Sequence, residues 1–116
     1  MGLDTSLYKE KIKPKIEQVF DKLIEADTEM EEVLYWRKNY NLLDWFNEEL
    51  GEIENCKYYE VTEETFIKWL NDLETLELKY DNGHLEETED RDIEMITKIL
   101  KETDFKTTKF YFYNWW

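Results

Sequence analysis

Apolar residues recur at helical spacing along most of the chain. Pro14 suits the first turn of a helix whose apolar face comprises Ile16, Val19, Phe20, Leu23 and Ile24. Residues 3–12 are interpreted as a preceding helical turn or a kinked extension of that helix. A second helix is predicted from about Met30 to Leu50, ending at Gly51, and it is apolar over more than half of its circumference.

Two more helices are predicted in the second half of the chain. Thr62 is a suitable N-cap for the third helix, and Glu63 and Glu64 follow it at the positive end of the helix dipole. The fourth helix is predicted to begin near Thr88 and to bury an isoleucine-rich stripe. The segment 76–87 between them fits either a helix that ends at Asn82 and Gly83 and is followed by a loop, or a hairpin that turns at the same pair. The first interpretation is preferred.

Two segments alternate as strands do. They are YYEV at residues 58–61 and the aromatic run at residues 109–115. A lone strand leaves its backbone groups unpaired, so we expect these two to pair with each other. The predicted fold class is therefore mainly α with a small two-stranded β ribbon (α+β), with about four helices in a single domain over residues 1–116.

The stretch VLYWRKNYNLLDWF, residues 33–46, is unusually rich in aromatic residues. Its side chains belong either to the core or to a surface that holds a ligand. The helical periodicity favours the core.

Negative charge is concentrated in the middle of the chain. The net charge is −14, and between Asp44 and Glu94 there are 18 acidic residues against Lys57, Lys68, Lys79 and Arg91. Such a surface repels nucleic-acid phosphates, so direct nucleic-acid binding is not expected. The charge suits a partner protein with a basic surface, or it serves solubility alone.

The sequence has no recognisable catalytic or metal-binding signature. Its single histidine, His84, and its single cysteine, Cys56, are too few for a closed zinc site. The run DRDIE resembles the start of a calcium loop, but it lacks the glycine and the distal glutamate of that motif. We therefore expect a non-enzymatic protein without a cofactor. One cysteine and no apolar run of membrane-spanning length favour the cytoplasm.

The motifs YWRKNYNLLDWF and CKYYEVTEE, with the aromatic C-terminal run, resemble a group of small acidic proteins of tailed phages and prophages. The shared positions are Tyr35, Trp36, Arg37, Lys38, Trp45, Phe46, Cys56, Tyr58, Tyr59 and Val61. The sequence departs from the group between Thr75 and Asp90, where a longer loop containing Gly and Phe is expected. The group has no established activity, so the resemblance implies a biological setting and not a reaction.

That setting implies a protein that acts in the host-cell cytoplasm on a host protein with a basic surface. A CRISPR effector or another nucleic-acid-binding protein is the expected partner, inhibited through mimicry of nucleic acid (an anti-CRISPR-like role). The predicted contact residues are Glu48, Glu49, Glu52, Glu54, Glu86, Glu87, Glu89, Asp90 and Asp92.

The alternative is a self-associating structural or accessory phage protein. In that case the aromatic C-terminal ribbon forms a homodimer interface. The predicted interface residues are Tyr111, Tyr113, Trp115 and Trp116.

Overall fold

The fold was analysed in a computed structural model that describes residues 2–11, 30–80 and 88–116. Its elements, in chain order, are β1 (Asp4–Lys11), β2 (Met30–Arg37), α1 (Tyr40–Leu50), β3 (Tyr58–Val61), α2 (Glu63–Glu74), α3 (Glu89–Glu102) and β4 (Thr108–Trp115).

The four strands form one antiparallel sheet in the order β2-β1-β4-β3. The predicted fold class was therefore wrong: the protein is α+β with a substantial four-stranded sheet, not mainly α with a two-stranded ribbon. The predicted pairing of β3 with β4 is present, with Tyr58 opposite Tyr113 and Val61 opposite Phe110. The aromatic run also pairs along its other edge with β1, so β4 is a central strand.

Residues 30–50, predicted as one helix, are a strand followed by a helix. In β2, Leu34 and Trp36 are buried while Tyr35 between them is exposed, which is the alternation of a strand. The chain turns at Lys38, whose φ is 56°, and Asn39 then caps α1 by accepting a 3.2 Å hydrogen bond from the Leu42 amide. The predicted end of this helix was right, since α1 stops at Leu50 before Gly51.

The N-terminal segment is also a strand where a helical turn was predicted. Leu3, Thr5 and Leu7 are buried at alternate positions, and β1 pairs with β2 on one side and β4 on the other. The pairing with β2 is irregular between Leu7 and Tyr8, as at a β-bulge. The helix predicted for residues 13–24 lies outside the described residues.

The predicted starts of the last two helices are confirmed. The Thr62 hydroxyl accepts from the Thr65 amide at 3.3 Å, and the Thr88 hydroxyl accepts from the Arg91 amide at 3.2 Å. In α2 the buried residues include Phe66, Trp69 and Leu73, while Ile67 is 54% exposed. The helix preferred for residues 76–82 was wrong where the structure describes it, since α2 ends at Glu74 and residues 75–80 form neither helix nor strand. Residues 81–87, with the predicted turn at Asn82 and Gly83, lie outside the described part.

One face of the sheet, the inner face, contacts all three described helices. The Phe46 ring of α1 stacks on Phe112 of β4 with 3.8 Å between centroids, and Phe66 of α2 meets Phe110 edge to face at 5.0 Å. Helix α3 reaches Trp36 of β2 through Asp92. Trp36, Trp45 and Phe46 are buried, so the expectation that the aromatic residues of the stretch at 33–46 belong to the core is confirmed for these three. It was wrong for Tyr35 and Tyr40, which are 38% and 49% exposed.

Among the described residues, no helix has the length and apolar character that crossing a membrane requires.

Candidate functional sites

Asp92 is a buried carboxylate that joins α3 to the sheet. Its Oδ2 accepts hydrogen bonds from the Trp36 indole, at 2.7 Å, and from the Tyr80 hydroxyl. Its Oδ1 accepts a 3.0 Å hydrogen bond from Arg91 Nε. The Arg91 guanidinium also lies over the Trp36 ring, 5.7 Å from its centroid. Burial raises the pKa of Asp92, and these donors act against that rise. Burial beside Asp92 likewise raises the pKa of Tyr80.

Asp72 of α2 repeats this arrangement beneath α1. It accepts from the Trp45 indole at 2.8 Å and from Lys68 at 3.0 Å, and Lys68 Nζ lies 5.8 Å from the Trp45 ring centroid. Burial alone would raise the pKa of Asp72, but the Trp45 and Lys68 donors outweigh it and the net pKa is lowered. Both aspartates are thus structural acceptors for tryptophan.

A groove on the helical side of the molecule is lined by carboxylates. It lies between α1 and the segment after α2, and we call it the acidic groove. Its lining residues are Asn41, Asp44, Trp45, Glu48, Leu76, Glu77, Leu78 and Lys79. Asn41 holds the two walls together by donating to the Lys79 carbonyl at 2.9 Å. The groove therefore combines three carboxylates with an apolar floor and one lysine.

The structure separates the acidic residues predicted to form one face. Glu48, Glu49, Glu52 and Glu54 are exposed on the second half of α1 and the loop after it. Glu89 instead accepts from the Tyr80 amide at 3.0 Å, close to the opposite end of α1, which is about 16 Å long. Asp90 is exposed beside it, whereas Asp92 is buried and is not part of any surface. Glu86 and Glu87 lie outside the described residues.

Several of the predicted acids already have partners. Lys68 contacts Glu49 at 3.2 Å, and Lys57 contacts Glu54 at 2.5 Å. Of the predicted acids that the structure describes, Glu48 alone lines the acidic groove, together with Asp44 and Glu77. Sequence reasoning did not select those two, because the groove forms only when residues 76–79 fold back beside α1.

The face of the sheet opposite the helices, the outer face, carries a cluster of aromatic side chains. They are Tyr8, Tyr35, Tyr58, Tyr111, Tyr113 and Trp115, as the strand register shows. Tyr58 lies 4.6 Å from Tyr113 and 5.8 Å from Tyr8 between ring centroids. Tyr58 and Trp115 are 51% and 62% exposed, so this cluster is an accessible surface.

The predicted interface residues of the C-terminal run divide between this face and the chain end. Tyr111 and Tyr113 are half-buried within the cluster, and Trp115 stands at its margin. Trp116 follows the strand, where its backbone exchanges hydrogen bonds of 3.0 and 3.1 Å with the Asn55 side chain. The homodimer through these residues stays a prediction.

Comparison with known proteins identifies no relative: no family model, no curated protein and no solved structure matches this chain.

Proposed function

We propose that this chain is a non-enzymatic binding protein that uses its negative charge to bind a basic surface of a host protein. The expected effect is inhibition of a nucleic-acid-handling or defence protein, through occupation of its nucleic-acid site. The resemblance to small acidic phage proteins supports a role in a phage-infected cell. The net negative charge supports binding to a basic surface.

The observation that carries this proposal is the distribution of ion pairs. Between residues 44 and 94, Lys57, Lys68 and Arg91 are occupied by carboxylates of the same segment. In the ion pairs described for this segment, the one basic residue from elsewhere in the chain is Lys109, 3.9 Å from Glu60. Within the described residues, the ends of the chain thus contribute one ion pair to this segment of 18 acidic residues.

Uncompensated surface charge favours association with an oppositely charged partner. Complementary potentials accelerate encounter and exclude partners of the wrong sign. The acidic groove adds an apolar floor to three carboxylates, which suits the long stems and charged ends of lysine and arginine side chains. We therefore place the strongest contact there.

The immobilised protein is first used to capture a binding partner from host lysate. A competition assay then tests whether this protein displaces nucleic acid from the purified partner. We expect Asp44→Asn, Glu48→Gln and Glu77→Gln together to weaken binding about tenfold, since each exposed pair contributes about 0.2–1 kcal/mol. Affinity should also fall steeply as salt increases.

A matched variant controls for total charge. Glu74→Gln, Glu94→Gln and Glu102→Gln remove three exposed carboxylates outside the acidic groove. Equal weakening by the two triple variants would contradict the groove as the contact, and salt-independent binding would contradict the whole proposal.

A second candidate is self-association through the aromatic C-terminal ribbon. It is favoured by the exposure of Tyr58, Trp115 and Trp116 around strands β3 and β4. Sedimentation over a wide concentration range tests it. If this candidate is right, Trp115→Ala dissociates an oligomer that the acidic-groove triple variant leaves intact. A parent protein that is monomeric at all concentrations would contradict self-association.

A further inference from the structure

The outer face of the sheet contains a hollow centred on Ser6. In the register, Ser6 lies between Tyr35 of β2 and Tyr113 of β4, and Asp4 and Tyr8 are its neighbours on the same face of β1. The short serine side chain is thus surrounded by longer ones in every direction. Glu32 and Trp115 complete the lining.

This hollow has the size of a single side chain. Its volume is about 260 Å³, below the roughly 300–1,000 Å³ of sites for drug-sized molecules. Four of its seven described lining residues are aromatic. The Tyr8 and Tyr113 rings meet edge to face at 6.2 Å, so they form a corner, and Trp115 is 62% exposed at the opening.

The hollow contains two carboxylates, those of Asp4 and Glu32, among hydroxyl groups. The Glu32 carboxylate accepts a 3.0 Å hydrogen bond from the Ser6 hydroxyl, and the Asp4 carboxylate accepts a hydrogen bond from the Tyr35 hydroxyl. A carboxylate has about four lone-pair positions, so each retains capacity for another donor. Lysine and arginine are absent from the described lining, and Arg37 lies beside it, opposite Asp4 in the pairing of β1 with β2.

We propose that the Ser6 hollow binds the side chain of an arginine in a basic segment of a partner protein. A guanidinium stacks on aromatic rings and donates two parallel hydrogen bonds to a carboxylate, and this site offers both kinds of group. The proposal goes beyond the proposed function, because the sheet separates this hollow from the acidic groove among the helices.

Two other occupants fit the hollow less well. A nucleotide base stacks on aromatic rings, but its phosphate would approach Asp4, Glu32 and a chain of net charge −14. A second copy related by a twofold axis would bring the same carboxylates of both copies together. A cationic side chain is complementary to the rings and to the charge.

The test is an NMR titration of the full chain with a capped pentapeptide of four glycines and a central arginine. The same peptide with citrulline, which is neutral and of similar shape, is the control ligand. We expect shifts at the Ser6 and Tyr113 amides and the Trp115 indole. The arginine peptide should bind at least about fivefold more tightly than the citrulline peptide, because cation–π and ionic contacts require the charge.

Paired variants locate the site. Trp115→Ala should weaken binding about two- to fivefold and Trp116→Ala should not change it, although both residues are exposed. Glu32→Gln should weaken binding, while Glu31→Gln, on the neighbouring residue and outside the hollow, should not. Ser6→Val fills the hollow and should abolish binding. The exposed Trp115 and Glu32 variants keep the test valid if the buried Ser6→Val does not fold.

Several results would overturn the arginine site. The first is equal affinity for the arginine and citrulline peptides, or equal loss of affinity in Trp115→Ala and Trp116→Ala. The second is that chemical shifts change only outside the hollow, or not at all at tens of millimolar peptide. The third is tighter binding of a mononucleotide than of the arginine peptide. Concentration-dependent shifts of Ser6 and Tyr113 without peptide would identify a second copy as the occupant and would also overturn it. The acidic-groove triple variant should show the same peptide-induced shifts at Ser6, Tyr113 and Trp115, which separates failure here from failure of the proposed function.

Discussion

The two faces of strand β4 use aromatic residues in different ways. Toward the helices it presents Phe110 and Phe112, which are 1% and 0% exposed. Toward the other side it presents Tyr111 and Tyr113, which are half-buried, and Trp115, which is exposed. Phenylalanine has no polar atom to satisfy, whereas tyrosine and tryptophan keep a hydrogen-bonding group that suits a surface.

The carboxylates show the same division. On the helical side, Asp92 and Asp72 are buried and accept from indoles that would otherwise be unpaired. On the outer face, the hydroxyls of Ser6 and Tyr35 donate to Glu32 and Asp4, which retain acceptor capacity. Comparison of the faces therefore separates groups that hold the fold together from groups available for binding.

The largest expected effect comes from substitution of neighbouring rings on β4. Phe112→Ala should reduce the free energy of unfolding by about 3–5 kcal/mol, because it removes the ring that stacks on Phe46 and leaves a cavity. Tyr113→Ala, one residue away, should cost about 1 kcal/mol or less, since it removes a half-buried cross-strand contact. Chemical denaturation of both variants measures the difference, and equal losses would contradict the assignment of the two faces.

An intermediate effect is expected at the Trp36–Asp92 contact. Asp92→Asn places an amide group among the donors from Trp36, Tyr80 and Arg91, so it should reduce stability by about 2–3 kcal/mol. The control is Asp90→Asn, an exposed carboxylate in the same first turn of α3, with an expected loss below about 1 kcal/mol. Equal values from denaturation would mean that Asp92 is not a structural acceptor.

The smallest effect is a difference in acid response between the two buried aspartates. The pKa of Asp72 is lowered on folding, so its contribution to stability is present above the unfolded pKa of about 3.9 and is lost as pH falls through the folded pKa. The pKa of Asp92 is raised, so its ionisation costs stability above the folded pKa, and this cost disappears as pH falls.

Denaturation between pH 7 and pH 3 therefore distinguishes the two. The stability difference between the parent protein and Asp72→Asn should shrink as pH falls below about 4. The corresponding difference for Asp92→Asn should grow as pH falls through the folded pKa of Asp92. Parallel pH profiles would show that the two aspartates have equivalent environments.

Local sequence signals located the elements that have their own start signals or turns. Thr62 and Thr88 are side-chain caps acting within one helical turn, and both were found. Strands β1 and β2 were missed because a short apolar run such as MEEVLYWR fits both helical and strand periodicity. The alternation of Leu34 and Trp36 and the cap residue Asn39 were signals for the actual boundary.

The candidate sites were less predictable than the fold. Asp92 was selected as a surface contact, although it lies four and seven residues before the buried Ile96 and Ile99, on the core-facing side of α3. An acid at such a position signals a buried, partnered carboxylate. The acidic groove and the Ser6 hollow have no comparable signal, because each combines residues distant in sequence.

The sequence by itself determined the net charge and its concentration in residues 44–94, the capped starts of α2 and α3, and the aromatic character of β4. These are properties of composition or of contacts within a few residues. The tertiary structure decided that β4 is central, which of its rings face the core, and which carboxylates are buried. The reason is that Ser6 meets Tyr113, and Trp36 meets Asp92, only after segments far apart in the chain pair and pack.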